Sequence, residues 1–181
     1  MLKKYGHDDY KMVGLCSHIG TRETVHYETA FRATSDALLR GNRYSAPILR
    51  GSYRVDIHHA EDNGITFRYL DEKEVTVYGK NTRRIESNRR EAAGLTGDCA
   101  SFYELPFDIL VPRGVKNLIP VGRMPNADDG AFGAIRAMVN LNQLGEAAGV
   151  AAYLAVNNGR ATEELDGTEV TKLLRSGGSA L

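Results

Sequence analysis

Asp56-Ile57-His58-His59 places one carboxylate and two imidazoles within four consecutive residues. On an extended strand, Asp56 and His58 share a face about 7 Å apart, close enough to share a proton or a metal ion. A metal-dependent hydrolase using Asp56, His58 and His59 is one chemistry this spacing allows, although a metal site needs further ligands and none is spaced to supply them. The plain alternative is a strand-end histidine hydrogen-bonded in place.

A second stretch carries a different chemistry. The apolar run Asn117-Leu118-Ile119-Pro120-Val121 ends at Gly122-Arg123, a polar loop follows from Met124 to Gly130, and a helix-compatible segment opens near Gly133. A helix start after a loop offers unpaired N–H groups and a positive dipole end, which suit a phosphate or an electron-rich ring oxygen. Gly133 and Ala134 have almost no side chain, so a ligand could approach the backbone there. A well-packed helix on a strand would show the same pattern.

The remaining candidates are weaker. Arg22-Glu23 could clamp a substrate carboxylate through the arginine fork, or form an internal ion pair. Arg83, Arg84, Arg89 and Arg90 form a basic cluster with no interleaved aromatics, which reads as a solvated helix face and not as a nucleic-acid site. Cys16-Ser17-His18 is too short and isolated to be a nucleophile–base pair.

The elements that must hold these residues divide the chain near residue 98. Residues 1–98 read as charged with short apolar runs. A short helix spans Thr34 to Leu39 and stops at Gly41, and a strand covers Ser52 to His58 with Tyr53, Val55 and Ile57 on one face. Thr66–Leu70 and Glu74–Tyr78 form a hairpin across Asp71-Glu72-Lys73, and Thr82 to Ala93 reads as helix with a Glu86–Arg90 pair. Residues 99–181 hold the strand, loop and helix described above. Ala134, Ala137, Leu141, Leu144, Ala148, Ala151 and Ala155 repeat at three and four, which predicts one long buried helix from about Gly133 to Asn157, stopped by Gly159. A last helix covers Thr168 to Arg175. The expected class is α/β (or α+β), with a small mixed sheet, a hairpin and one long C-terminal helix.

Composition narrows the function classes. The 181 residues are 42% hydrophobic with 23 basic and 23 acidic side chains, so this reads as a soluble globular chain with no overall pull toward nucleic acid or an anionic membrane. Asn142, Gln143 and Glu146 interrupt the most apolar stretch, which excludes a membrane span there, and MLKKYGHDDY lacks the apolar run of a signal peptide. Cys16 and Cys99 lie far apart with no disulfide framework, so a cytoplasmic setting is expected.

Several motifs, in order, resemble a known family. Gly20-Thr-Arg22-Glu23-Thr, Gly51-Ser-Tyr53-Arg-Val-Asp56-Ile-His58 and Asn63-Gly64-Ile-Thr66 come first. Then follow Tyr103-Glu-Leu-Pro-Phe107, Gly122-Arg123, Gly133-Ala-Ile-Arg136 and Leu144-Gly-Glu-Ala-Ala-Gly149-Val-Ala-Ala152. Together, from about residue 18 to 157, they look like the C-terminal portion of the FAD-dependent oxidoreductases of the glutathione-reductase-like superfamily.

The resemblance implies a partial FAD/NAD(P)-binding-type fold and FAD as cofactor. It implies that Gly122, Arg123, Asn126 and Ala127 run along the ribityl and pyrophosphate. Gly133, Ala134, Ile135 and Arg136 would meet the flavin's pyrimidine edge, with His58 and Arg22 on the side of a small-molecule substrate. That family's GxGxxG turn is absent from these residues. The chain is therefore expected to be a fragment or subunit that needs a separate N-terminal dinucleotide-binding half, or that covers the exposed face by self-association. Val25-His26-Tyr27, where the family carries two arginines and an isoleucine, and Asp129, where relatives often carry His, set its substrate side apart. A flavin-free remnant acting as an interaction module is the non-enzymatic alternative.

Overall fold

The structure, a computed structural model, describes residues 14, 23, 25–79, 83–92, 94, 96 and 98–181. Thr34 caps a short helix, α1 (Ser35–Leu39), by accepting a hydrogen bond from the Ala37 N–H, and Gly41 turns the chain at φ +65°. Strand β1 (Pro47–Gly51) leads into β2 (Val55–His58), β3 (Ile65–Arg68), β4 (Lys73–Tyr78) and β5 (Arg83–Asn88), then one helical turn, α2 (Arg89–Ala92). After β6 (Tyr103–Pro106) and a 3₁₀ turn (Phe107–Leu110) come α3 (Asp129–Ile135), α4 (Met138–Asn158) and α5 (Gly167–Ser176).

The expected mixture of helix and sheet is present, but the strands form two antiparallel sheets instead of one mixed sheet. β1 pairs with β6, and β2–β3–β4–β5 form a meander. The parallel contact among the described residues is the isolated bridge between Ala33 and Ala127. The predicted hairpin is β3–β4, with Arg68 opposite Glu74. β1 lies in the first half of the chain and β6 in the second, so the two halves interleave.

Three expectations change. Residues 83–88 are strand, not helix: β5 pairs with β4 over six positions, and the Glu86 carboxylate meets Lys73 and Arg84. Cross-strand pairing outweighed a helical pattern whose apolar side was a single isoleucine, Ile85. Residues 117–121 make no strand, since no described strand lies beside them. The helix expected from Gly133 to Asn157 is two helices, broken where Ala137 takes extended geometry (φ −61°, ψ 138°). Asn140 Nδ2 donates to the Ala134 carbonyl at the break, which replaces helical pairing with a side-chain bond. The small-residue period runs unbroken through the junction, with no proline or glycine to mark it.

The core lies between the β1–β6 sheet, the 3₁₀ turn and the last three helices. Leu49, Leu105, Ile109, Ile135, Leu144, Ala147 and Ala151 are all essentially inaccessible. α4 and α5 pack on each other and on β1, while α3 packs on β2 and α1. Gly159 ends α4 in left-handed geometry at φ +61°, as its position predicts.

Candidate functional site

α3 begins at Asp129, four residues before the expected start, and its N-terminus is occupied. The Asp128 carboxylate accepts from the Ala131 N–H at 2.8 Å, from the Ser35 N–H at 2.9 Å and from the Ser35 hydroxyl at 3.2 Å. Gly133 is small for a reason other than ligand approach: a Cβ there would sit 2.0 Å from the Asp56 carbonyl oxygen. Gly133, Ala134 and Ile135 are interior residues packed toward β2. Of that group, Arg136 reaches a cavity.

Arg136 Nη2 lies 3.3 Å from Asp56 Oδ1, and His58 Nε2 lies 3.1 Å from the same oxygen. Arg136 and Asp56 are largely buried, whereas the His58 ring is 43% exposed. These three, with Glu23, Asp129 and Phe132, line a cavity of about 210 Å³. Asp56 fixes the His58 ring, leaving it as the exposed imidazole of a small pocket that also holds three carboxylates and Arg136, within reach of a bound molecule. Arg22 lies outside the described residues.

His59 faces elsewhere. Its Nδ1 bonds Asp62 Oδ1 at 2.8 Å, its Nε2 bonds Thr66 Oγ1 at 2.8 Å, and Thr66 continues to Thr76. The Gly64 N–H, and then His59, hold the Asp62 carboxyl below its usual range. This network ties the β2–β3 hairpin together, and it separates His59 from Asp56 and His58. Among the described residues no three His, Cys, Asp or Glu side chains converge as a metal set.

A larger cavity, of about 510 Å³, lies beside residues 28–33 and is lined by His26, Glu28, Arg32, Arg113, Asn126 and Ala127, with Thr29. The backbone laces its walls together. Thr29 bridges Pro112, the Arg113 N–H donates to the Glu28 carbonyl, and the Ala33 N–H donates to the Asn126 carbonyl. Arg32 and Arg113 are exposed and, among the described residues, neither has a carboxylate partner. Two unneutralised guanidinium groups on one concave wall fit an anionic group such as a pyrophosphate. Asn126 and Ala127 line the cavity, while Gly122 (φ +89°) and the exposed Arg123 lie earlier on the same loop. Sequence reasoning missed Arg32 and Arg113, because they are 81 residues apart and meet only through the pairing of their flanking segments.

His26 joins the two cavities. It lines the larger one, its ring meets Phe132 edge-on at 4.9 Å, and its Nε2 bonds Glu23, both residues of the smaller one. Its two nitrogens face two acceptors, the Pro125 carbonyl at 2.6 Å and the Glu23 carboxylate at 2.7 Å, so both nitrogens must donate. Burial opposes the charge, but the Pro125 carbonyl and the Glu23 and Asp129 carboxylates outweigh it and raise the pKa above 6.5. A raised histidine pKa stabilises the fold fully below the unfolded value and loses that contribution as pH rises through the folded value. His26 is therefore expected to titrate above 6.5 in a ¹H–¹⁵N NMR titration, and Glu23→Gln to bring that midpoint down.

The outer face of α4 is open. A Cβ at Gly145 or Gly149 would meet nothing within 4 Å, and Met138, Tyr153 and Val156 are well exposed beside them. Among the described residues no helix is long and apolar enough to cross a membrane.

The family model described as FAD dependent oxidoreductase matches residues 1–174, and the chain belongs to that family. No curated protein and no solved structure matches it. The family's cofactor is FAD, and the paired arginines of the larger cavity suit that dianionic group.

Proposed function

From membership of a flavin oxidoreductase family, we propose that this chain works as a dehydrogenase, passing hydride between a small-molecule substrate and FAD. The observation that carries the reading is the pair of joined cavities: one with two arginines that meet no carboxylate among the described residues, the other with His58 and Arg136 fixed on Asp56. Arg32 and Arg113 bind the pyrophosphate, and Asn126 and Ala127, with Gly122 and Arg123 leading in, orient the chain of the cofactor. Arg136, steadied by Asp56, offers N–H donors to the ring edge where a reduced flavin gathers negative charge. His58 takes or returns the substrate proton, and Arg22, next to Glu23, is assigned to a substrate carboxylate. FAD supplies the two-electron acceptor that no side chain provides.

A dinucleotide-binding half, in the manner of the glutathione-reductase-like members, completes the site in this reading, whether it shares this polypeptide or not. Three features support it. The sequence contains no GxGxxG, and among the described residues the run 117–121 has no strand partner and the Gly145–Gly149 face of α4 has nothing packed on it. Self-association through that face is the other way to cover it. The two widely spaced cysteines support a cytoplasmic setting.

The test is fluorescence polarisation of FAD titrated with the purified chain, alone and with a supplied dinucleotide-binding half. Saturable binding is expected, and Arg32→Ala and Arg113→Ala should each weaken it about tenfold, the loss of one charge-assisted contact. Binding indifferent to both substitutions would remove the arginines from the site. No binding even with the added half would favour the flavin-free interaction module.

A further inference from the structure

We propose that His26 is a positioning residue whose second ring proton sets both cavities at once: it adds a cation to the wall that Arg32 and Arg113 offer an anion, and it holds the Glu23 carboxylate at the smaller cavity. The anion arm rests on the reading of the larger cavity given above, whereas the proton and its partners need no cofactor.

The geometry calls for an imidazolium. Nδ1 lies 2.6 Å from the Pro125 carbonyl and Nε2 lies 2.7 Å from Glu23 Oε1, and neither the carbonyl nor the carboxylate can donate. A neutral ring has one N–H, so one of the two contacts becomes lone pair against lone pair. Turning the ring over would set carbons against both oxygens, and Phe132 of α3 backs the ring edge-on at 4.9 Å.

The two acceptors are not equal. Pro125 is buried, and among the described residues no backbone N–H reaches its carbonyl, so the His26 ring is its donor. The Glu23 side chain is 52% exposed and can turn to water. The neutral ring therefore keeps Nδ1–H on Pro125 and turns its Nε2 lone pair on Glu23, which swings away from the smaller cavity that it lines. Asn126 and Ala127 keep their places in both states, because the Met124 and Asn126 carbonyls also accept from the Tyr27 and Ala33 N–H groups.

The larger cavity thus changes in charge more than in shape. Glu28 faces the same space and offsets part of the Arg32 and Arg113 charge, so one added cation on that wall counts. Burial opposes the ring's charge, yet the Pro125 carbonyl and the Glu23 and Asp129 carboxylates hold its pKa above 6.5, which brings the change close to neutral pH. The other charged or titratable groups that share its space are Asp56, His58 and Arg136, all in the smaller cavity. An anion between Arg32 and Arg113 relieves their repulsion of the imidazolium, so anion and proton favour each other, and a bound anion keeps Glu23 in place.

The test is a pH series, from about 5.5 to about 8.5, in which the full chain is titrated with inorganic sulfate, dianionic throughout, at ionic strength held constant with sodium chloride. ¹H–¹⁵N NMR follows the His26 ring, and the Arg32 and Arg113 Nε–H groups report binding. Sulfate affinity should fall about fivefold from the acid to the alkaline end, and saturating sulfate should raise the His26 midpoint by about 0.7 of a pH unit, the same fivefold seen from the proton's side. The Glu23 carboxyl ¹³C shift should move with that midpoint. His26→Arg, which keeps the charge, should hold the high affinity at every pH, and His26→Gln the low one. A His26 midpoint unmoved by sulfate, no sulfate binding beside the arginines at about 50 mM, or a pH profile that survives in His26→Gln and so belongs to His58 would each overturn the proposal. The first of these needs no variant, so a substitution that fails to fold leaves the proposal open to refutation. FAD bound equally well across the series would overturn the coupling and leave the flavin reading standing, whereas FAD bound at no pH, with sulfate and His26 still linked, would sink the flavin reading and leave the coupling supported.

Discussion

Replacing Gly133 with alanine is expected to destabilise the chain by about 3 kcal/mol or more, although the same change in an open helix is favourable. The added Cβ would stand 2.0 Å from the Asp56 carbonyl oxygen, 2.8 Å from its carbon and 3.0 Å from its nitrogen. All three are backbone atoms, so no rotamer change relieves the overlap. The strand cannot retreat, because β2 pairs with β3 along its whole length, from Val55–Arg68 to His58–Ile65. Nor can α3, since Gly130 one turn earlier is also in close contact, its Cβ position 2.7 Å from Ser35 Cβ. Gly149→Ala is the control: a Cβ there meets nothing within 4 Å, so removing a mid-helix glycine should stabilise the chain by about 0.5–1 kcal/mol. Urea unfolding of the two variants checks the opposed signs. Equal shifts would mean that α3 does not pack on β2 as described. If a dinucleotide-binding half docks on α4, Gly149→Ala should stabilise the isolated chain and weaken that association.

What the sequence made legible follows from where the physics is local. The short helix after Thr34 with its stop at Gly41, the Asp71–Lys73 hairpin turn and the left-handed Gly159 stop rest on neighbours within a few residues, and each forms as expected. The family resemblance was likewise carried by contiguous motifs around Asp56, Gly122 and Gly133. What stayed hidden depends on residues far apart. β5 is a strand because β4 offers it an edge, a pairing that the charged run Arg83–Asn88 does not advertise. The helix break at Ala137 is held by Asn140, a polar residue outside the stripe that read as packing. The two arginines of the larger cavity come together through one bridge between Thr29 and Pro112. Glycine carried the most misleading signal. Gly133 read as room for a ligand and is contact with a strand, while Gly145 and Gly149, farther along the same small-residue run, are open.

The Asp128 carboxylate is the second place where one side chain decides the site, and Asp128→Ala is expected to destabilise the chain by about 2–3 kcal/mol. A single N-cap is worth about 1 kcal/mol. This one serves two helices: it accepts from the Ala131 N–H in the first turn of α3 and from the N–H and hydroxyl of Ser35, the first residue of α1. Removing it leaves those N–H groups, partly shielded from water, without an acceptor, which adds to the lost caps. The loss also reaches the larger cavity. The Asp128 N–H donates to the Ala33 carbonyl while the Ala33 N–H donates to the Asn126 carbonyl, so the carboxylate anchors the segment that carries Asn126 and Ala127. FAD affinity should therefore fall together with the unfolding midpoint. Asp128→Asn separates the two effects, because its remaining oxygen can keep the Ala131 bond while the Ser35 contacts weaken. About half of the stability loss is expected to return, with cofactor affinity recovering in step. A variant that regains stability but not affinity would show that the loop is positioned by something other than this cap.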